Sequence, residues 1–291
     1  MTAREVKFGA LLEPSAQRPQ DVVELAELME ELEYDVVTLS DHPYWPERLD
    51  TLALLTAIAV RTSRITVMSN LLNLPLRPPA VLARTAATID ILSGGRFELG
   101  LGTGAQQMWP SILAEGGPAR TAGQSIEALE EATQLIRALW TSTTDVVFEG
   151  GHYRLDGARP GPAPLHEIGI WFGAYQPRML RVVGTIGDGW IPSSPFFPPA
   201  ALPTANRAID DAALAAGRKP RDIRRGYNIE GTFDTGPGFL QGPPKAWAEQ
   251  LAELVLAGQA DTFFLYRAHA PDFLRRFAAE VAPAVRELVA A

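Results

Sequence analysis

The sequence predicts an α/β protein, a (β/α)8 TIM barrel formed as one domain over residues 1–291, with a hairpin insertion before the fifth barrel strand. Two observations predict this fold. Short β-branched or aromatic runs alternate with longer runs of helical period, which is the pattern of βαβ units. The 291 residues also accommodate a barrel of about 250 residues with roughly 40 left for insertions. A doubly wound open sheet is the alternative that the same pattern allows.

Eight short apolar runs predict the barrel strands. In chain order they are Lys7–Glu13, Asp35–Ser40, Arg64–Asn70, Arg96–Gly102, Ile168–Ala174, Asp188–Ser193, Arg224–Gly231 and Asp261–Arg267. The helical patterns between and after them are Gln20–Leu32, Leu49–Arg61, Pro79–Leu92, Gly123–Trp140, Gln176–Ile186, Pro199–Ala216, Pro243–Ala257 and Pro271–Leu288. Proline or a capping residue lies near the helix starts, as expected where amide groups lack partners.

One segment, Thr141–Leu165, interrupts the alternation where the fifth barrel strand is due. It holds two short strand-like runs around Gly150 and Gly151, followed by a proline-rich tail. This pattern predicts a hairpin insertion on the barrel, and we expect it to pack over the site or at a subunit contact.

Charge and composition exclude several classes of partner. The net charge of −8 supplies no basic surface for nucleic acid or for an anionic membrane. The absence of cysteine excludes disulfides, thiolate metal sites and a cysteine nucleophile, and it is compatible with a reducing cytoplasm. No apolar run near the N-terminus is long enough for a signal peptide or a membrane span. A cytoplasmic location and a small-molecule partner are therefore expected.

In a TIM barrel the site lies at the carboxyl ends of the strands. Small residues and single hydroxyl groups dominate these ends, most clearly in Gly100, Gly102, Thr103 and Gly104. The sequence contains no HExxH motif, no Walker-type loop and only four histidines, so no metal site is expected. We interpret the strand ends as a place where a large flat ligand lies against bare backbone and supplies the chemistry.

Asp41 and His42 form the one Asp-His pair at a strand end. One interpretation is a general acid/base whose imidazole titrates near neutrality, with Tyr44 and Trp45 beside it as pocket walls. The other is a capping aspartate and a histidine that fills a surface cleft.

Glu13 and Glu230 are the glutamates at strand ends. As a pair across the barrel they would suit an unrelated hydrolase. The alternative is that they form hydrogen bonds beneath a bound ring or pair with Arg267.

Three sequence runs resemble the bacterial luciferase-like monooxygenase superfamily. They are "SDHPY", "ITVMSNLLNLPLRPPAVLARTAATIDILSGGRFELGLGTG" (Ile65–Gly104) and "IWFGAYQPRMLRVVGTIGDGWIPS" (Ile170–Ser193). The resemblance implies a (β/α)8 barrel that binds a flavin or its deazaflavin analogue, coenzyme F420. The "SDH" run is similar to the F420-dependent oxidoreductase branch, where the histidine belongs to the active site. This implies a hydride transfer between C5 of F420 and a small organic substrate, with Asp41 setting the tautomer of His42.

The resemblance also implies the cofactor site. A non-prolyl cis peptide at the turn of Ser69 and Asn70 would back the ring, and the helix that opens after Gly173 would hold a phosphate. The implied cofactor-binding residues are Ser69, Asn70, Thr103, Gly104, Gly173, Ala174, Tyr175, Gln176, Pro177, Ile191, Pro192, Ser193 and Ser194. Trp45, Trp109, Tyr175 and Glu13 would wall the substrate side.

One departure leaves the substrate class open. Sugar-phosphate dehydrogenases of this family carry an acidic residue directly after the TG of the fourth strand, and Ala105 stands there. Two alternatives remain within the superfamily, a reduced-FMN monooxygenase and a non-catalytic flavin-binding protein.

Relatives often form dimers through barrel helices, so a homodimer is expected. The apolar residues Leu52, Leu55, Ile58, Ala86 and Ile89 would suit its interface or would pack on the barrel.

Overall fold

The computed structural model describes residues 5–266 and 270–290. Within this part the strands are β1 (Lys7–Leu12), β2 (Val36–Leu39), β3 (Thr66–Ser69), β4 (Leu72–Asn73), β5 (Phe97–Gly102), β6 (Val146–Glu149), β7 (Arg154–Ala158), β8 (Ile170–Phe172), β9 (Gly189–Trp190), β10 (Arg224–Ile229) and β11 (Thr262–Tyr266). Strands β3, β2, β1, β11, β10, β9, β8 and β5 are neighbours in that order, and the β3–β5 pairing closes the ring. All of these pairings are parallel. The predicted barrel is confirmed, with β4 paired to β5 outside the ring.

The helices surround the barrel. They are α1 (Pro19–Glu31), α2 (Thr51–Arg61), α3 (Pro79–Ser93), α4 (Trp109–Ala114), α5 (Ala122–Thr141), α6 (Pro177–Ile186), α7 (Leu202–Ala215), α8 (Pro244–Leu256), α9 (Pro271–Arg276) and α10 (Ala282–Ala290). Asp50 caps α2 by accepting from the Ala53 amide, and Thr121 forms a capping box with Gln124 at the start of α5. A π-helical turn, Phe277–Val281, separates α9 from α10 where one helix is predicted. No helix of the described ranges is long and apolar enough to cross a membrane.

Apolar side chains fill the inside of the barrel below its carboxyl end. Val36, Met68, Trp171, Ile191 and Phe264, from different strands or strand ends, form a buried cluster separate from the larger core. The larger core contains residues of the strands and of the packed helices, such as Phe8, Leu55 and Trp247. Because the interior is packed, a ligand has room only at the ends of the strands.

The insertion is an antiparallel hairpin of β6 and β7, as predicted. The Glu131 carboxylate on α5 accepts hydrogen bonds from the backbone amides of Gly151, His152 and Tyr153 at 2.7, 2.9 and 3.1 Å. These bonds attach the turn of the hairpin to the outer helix layer. The expectation that the insertion packs over the site or at a subunit contact stays a prediction.

Candidate active site at the barrel mouth

The structure brings the predicted site residues to one end of the barrel. Asp41 and His42 follow β2, Ser69 ends β3 with Asn70 directly after it, and Thr103 and Gly104 follow β5. Gly173, Ala174, Tyr175, Gln176 and Pro177 follow β8 or begin α6, and Ile191, Pro192, Ser193 and Ser194 follow β9. The carboxyl ends of parallel strands meet at one mouth, so these residues surround a common space. Their roles stay predictions.

The end of β3 is joined tightly to β5. The Ser69 hydroxyl donates to the Gly100 carbonyl at 3.0 Å and accepts from the Gly100 amide at 2.9 Å. The non-prolyl cis peptide bond lies between Asn70 and Leu71, at the turn where the resemblance implies one. The chain thereby turns at Leu71 into the short strand β4.

A buried polar network holds this turn across the barrel. The Asn70 amide donates to the Asn228 side-chain oxygen at 2.8 Å, and the Asn228 amide donates to the Ser193 hydroxyl at 3.0 Å. Thr38 lies within 3.4 Å of the Asn70 amide nitrogen. The sequence reasoning missed Asn228 because it lies inside β10 and not at a strand end. The feature of the sequence that indicates Asn228 is its polar side chain between the apolar residues Tyr227 and Ile229.

The three positions of "GLGTG" that hold glycine differ in why glycine occupies them. A Cβ on Gly100 would collide with the Ser69 carbonyl oxygen, so this glycine serves the chain itself. Gly104 has a φ of 80°, which favours glycine. A Cβ on Gly102 would lie 3.5 Å from its nearest neighbour, so the protein leaves room there. Of the three, Gly102 is the one at which neither a steric clash nor a positive φ requires glycine, so this position is free to face a ligand.

Leu71 forms an apolar floor between two glycines. A Cβ on Gly173 would lie 2.6 Å from a Leu71 methyl carbon, and a Cβ on Gly102 would lie 3.6 Å from Leu71 Cβ. Leu71 is itself half-buried. Gly173 therefore makes room for the Leu71 side chain, and Gly102, Leu71 and Gly173 lie together as one surface, which we call the glycine floor.

Asp41 is held by contacts that the sequence reasoning did not predict. Its carboxylate accepts from Arg77 at 2.8 and 3.2 Å and from the backbone amide of Asn73 at 2.8 Å. Arg77 also bonds Asp50, the cap of α2, at 2.9 Å. Asp41 is 3% exposed, so Arg77 compensates a buried charge.

His42 contacts Tyr44 and Trp45. Its Nδ1 lies 2.9 Å from the Tyr44 hydroxyl oxygen, and its ring stacks on Trp45 with centroids 4.2 Å apart. Burial lowers the pKa of His42, Asp41 and Glu13 oppose this effect, and Arg48 adds to it. His42 is therefore a neutral imidazole near pH 7. The expectation that Asp41 sets its tautomer is wrong, because Tyr44 contacts Nδ1 and Asp41 faces Arg77.

Glu13 reaches the mouth beside Trp45. Its carboxylate pairs with Arg48 at 2.9 Å, and the Arg48 guanidinium lies 5.7 Å from the centroid of the Trp45 ring. The expected partner Arg267 lies outside the described residues. Glu13 and Trp45 thus lie on the same side of the mouth as His42.

Trp109 and Tyr175 lie apart from this group. Trp109 begins α4 and lines a small cavity with Pro75, Ile112 and Arg120, and no ring contact joins it to His42 or Trp45 in the described part of the chain. Tyr175 lies with its ring centroid 5.9 Å from that of Phe197. The role of Trp109 as a wall of the substrate side stays a prediction.

The sequence of residues 5–234 matches the family of luciferase-like monooxygenases. The chain belongs to this family. The protein is 31% identical over 255 residues to an F420-dependent glucose-6-phosphate dehydrogenase of Nakamurella multipartita, a match that covers 85% of this chain and 74% of the relative. A similar enzyme of Mycolicibacterium gilvum is 32% identical over 84% of this chain and 74% of its own length. The predicted family and its F420-dependent branch are confirmed.

A solved structure shows the same fold as this luciferase-like protein. It is an F420-dependent secondary alcohol dehydrogenase in complex with an F420-acetone adduct, with a TM-score of 0.85 and 19% identity over 97% of this chain and 100% of that one. Within residues 5–266 and 270–290, this luciferase-like barrel has no group of three histidine, aspartate or glutamate side chains placed to hold a metal ion.

Proposed function

We propose that this protein is an F420-dependent oxidoreductase that transfers a hydride between C5 of the deazaflavin and a small organic substrate in the cytoplasm. The observation that carries the proposal is the glycine floor next to a neutral histidine. Asn73 lies between the two, because it is two residues after Leu71 in the chain and its backbone amide donates to Asp41, the neighbour of His42. Curated relatives named F420-dependent dehydrogenases support the choice of cofactor.

The residues of the mouth suit a flat cofactor with a phosphate tail. Gly102, Leu71 and Gly173 would lie against the ring system. Asn73 is 5% exposed and its side-chain oxygen has no hydrogen-bond partner in the described structure, so it remains able to accept from a ligand. Helix α6 begins at Pro177 without a side-chain cap, which leaves amide groups for a phosphate.

The protein's part in the reaction is to orient two reactants and to control one proton. When bound, F420 supplies a carbon, C5, that gains or gives a hydride. Trp45 and Glu13 would confine the substrate beside His42, whose Nε2 has no hydrogen-bond partner among the described residues. Neutral His42 can therefore form a hydrogen bond with the substrate oxygen at that nitrogen.

Sugar-phosphate oxidation is not part of the proposal. The acid that would follow the TG of the fourth strand in the sugar-phosphate enzymes is replaced by Ala105, whose side chain cannot move a proton. The substrate is instead a small organic molecule with an oxygen that faces His42.

The first experiment titrates the apo-protein separately with F420 and FMN, and follows ligand fluorescence and the thermal midpoint. At about 100 times its dissociation constant, a ligand should add roughly 2.7 kcal/mol of stability. We expect F420 to stabilise the protein more than FMN. Stronger stabilisation by FMN would favour the monooxygenase, and binding without turnover of any substrate would favour the non-catalytic protein.

Gly102→Ala tests the position of the ring. The added methyl group meets nothing closer than 3.5 Å, so we expect the stability of the apo-protein to change by less than about 0.5 kcal/mol. If the ring lies on the glycine floor, the affinity for F420 should fall about tenfold or more. Gly217→Ala serves as the control. Gly217 has a φ of 72°, so the change should lower stability, and it should leave the dissociation constant of F420 unchanged.

We also propose a homodimer, through a different surface from the one first considered. Leu52, Leu55, Ile58, Ala86 and Ile89 are buried against the barrel of their own chain. The exposed apolar residues of the same helices are Val60 on α2 and Val81, Ile91 and Leu92 on α3. These side chains are the ones available to a second copy.

A further inference from the structure

Tyr44 is the one described residue whose side chain lies within hydrogen-bond distance of the His42 ring. Its hydroxyl oxygen is 2.9 Å from Nδ1, whereas Nε2 has no hydrogen-bond partner among the described residues. Asp41 precedes His42 in the chain, but its carboxylate oxygens are engaged by Arg77 and by the backbone of Asn73. The choice between the two imidazole tautomers therefore depends on whether Tyr44 donates to Nδ1 or accepts from it.

Among the described residues, Nδ1 of His42 is the one acceptor within hydrogen-bond distance of the Tyr44 hydroxyl. Burial and the charge of Asp41 raise the pKa of Tyr44, and a hydrogen bond with the Asn73 side chain lowers it. The net effect raises the pKa of Tyr44, so the phenol keeps its proton near neutral pH. With Nδ1 as its one acceptor among the described residues, the Tyr44 hydroxyl has that nitrogen to which to donate.

We propose that Tyr44 donates to Nδ1 and holds neutral His42 as the tautomer protonated at Nε2, so that His42 presents an N–H to the oxygen of a carbonyl substrate. The inference rests on the proposed function and adds to it the substrate class, an aldehyde, ketone or enone. Tyr44 acts through His42 and is a positioning residue.

The proton and electron balance of a carbonyl reduction follows from this arrangement. The hydride electron pair from reduced F420 forms the new C–H bond, and the π pair of the C=O bond becomes a lone pair on oxygen. The Nε2 proton moves to that oxygen while the phenolic proton of Tyr44 moves to Nδ1. A solvent proton then binds Nε2, and Nδ1 returns its proton to the Tyr44 phenolate, which restores the starting tautomer. His42 and Tyr44 together supply the proton, because position 105 holds alanine and not an acidic residue.

Burial outweighs the charges around His42 and keeps it in the neutral state that this role requires. The charged groups that face it are Asp41 at the end of β2 and Glu13 at the end of β1, which raise its pKa, and Arg48 in the following loop, which lowers it. The stacked Trp45 ring adds burial, and burial is the largest effect on the pKa of His42, which it lowers. A histidine already protonated at both nitrogens would need no tautomer control.

The test is nitrogen NMR of histidine-labelled apo-protein, with His42→Asn used to assign the signals among the four histidines. We expect the His42 of wild type to carry its proton on Nε2. Tyr44→Phe should produce a mixture of tautomers or the Nδ1 form. Tyr153→Phe removes a phenol from the insertion and should leave His42 as in wild type. A wild-type proton on Nδ1, or a tautomer unchanged by Tyr44→Phe, would overturn the proposal.

Kinetics give a second test with reduced F420 and a simple ketone or enone such as cyclohexenone. Tyr44→Phe should lower kcat about tenfold or more, flatten the pH profile and leave the dissociation constant of F420 within about twofold of wild type. An unchanged kcat and pH profile would overturn the role of Tyr44. Failure of wild type to bind F420 would overturn the proposed function instead, and the NMR measurement, which needs no cofactor, would still decide the tautomer.

Discussion

At the mouth of the barrel, the Asp41 carboxylate lies almost out of contact with solvent and has Arg77 as its counter-charge. The side chain of Asp41 is 1% exposed and that of Arg77 is 16% exposed. Removing one partner of a buried ion pair leaves an uncompensated charge, which costs more than the pair itself contributes. The position of His42 depends on this pair, because Asp41 is its neighbour in the chain.

Arg77→Gln should therefore lower the free energy of unfolding by about 3–5 kcal/mol, measured by urea denaturation. In an Asp41→Asn background the same change should cost less than about 1 kcal/mol, because no buried charge is left unpaired. Arg61→Gln is a matched control. It breaks an exposed pair with Glu27 and should cost less than about 1 kcal/mol. Equal costs of Arg77→Gln in the two backgrounds would contradict the explanation.

The residues that sequence reasoning found and missed at the mouth differ in one respect. Asp41, His42 and Thr103 lie directly after strand ends, so the rule for parallel barrels locates them. Arg77 and Asn228 act from a loop and from inside a strand, and their partners are 36 and 158 positions away in the chain. Tyr44 was predicted as a wall, but its bond to His42 depends on the fold of the loop after β2. Such pairings follow from tertiary structure and have no local pattern.

Among the elements, the loop between α2 and β3 is tied to the end of α1 by one carboxylate. Glu30 accepts from the backbone amides of Ser63, Arg64 and Ile65 and from the Ser63 hydroxyl, at distances between 2.7 and 3.1 Å. Burial raises the pKa of Glu30, but these hydrogen bonds outweigh it and lower the pKa to about 2. The bonds fix the start of β3, the strand that leads to Ser69 and Asn70.

Glu30 should make the stability of the protein depend on acid. Its pKa is lower in the folded state than the ordinary 4.5, so its contribution is complete above about pH 4.5 and is lost as the pH falls toward 2. Glu30→Gln should lower the urea midpoint at pH 6 and reduce its fall between pH 4.5 and 2. The loss should be smaller than the pKa change alone implies, because solvent screens this group.

Glu31→Gln provides the control for this measurement. It changes the next residue of α1, which is exposed and accepts no hydrogen bond in the described part of the chain. Its urea midpoints should follow those of wild type at every pH. If the urea midpoints of wild type and Glu30→Gln fall in parallel between pH 4.5 and 2, Glu30 is not the group responsible for the loss of stability in acid.

The predicted helices and strands agree with the structure where the hydrophobic pattern is sustained over many residues. They differ where the chain leaves the barrel. The run Asp188–Ser193 was predicted as a strand, but β9 contains only Gly189 and Trp190. The residues that follow, Ile191 to Ser193, bond to β8 and β10 as they enter the mouth. The two-residue strand β4 was missed because its pairing with β5 depends on the turn at Leu71, and α4 because six residues are too few for a periodic signal.

At the scale of the whole molecule, the barrel could be predicted because alternation and strand number depend on many residues at once. The assembly state could not, because an apolar helix residue packs equally well on a barrel or on a partner. Leu55 and Ile58 are fully buried within their own chain, whereas Val60 and Leu92 are 57% and 51% exposed. Exposed apolar residues on neighbouring helices indicate a surface that a second copy could cover.

The proposed dimer predicts the effect of charge on this surface. Wild-type protein should sediment as a dimer at micromolar concentration. The double change Val60→Glu and Leu92→Glu should shift it to the monomer, because it buries two unpaired carboxylates at the contact. Leu256→Glu places the same charge at an apolar residue of α8 that is 66% exposed, and it should leave the dimer intact. A wild-type monomer, or a double variant that remains dimeric, would exclude α2 and α3 as the interface. The titration with F420 would then decide whether the monomer alone forms the cofactor site.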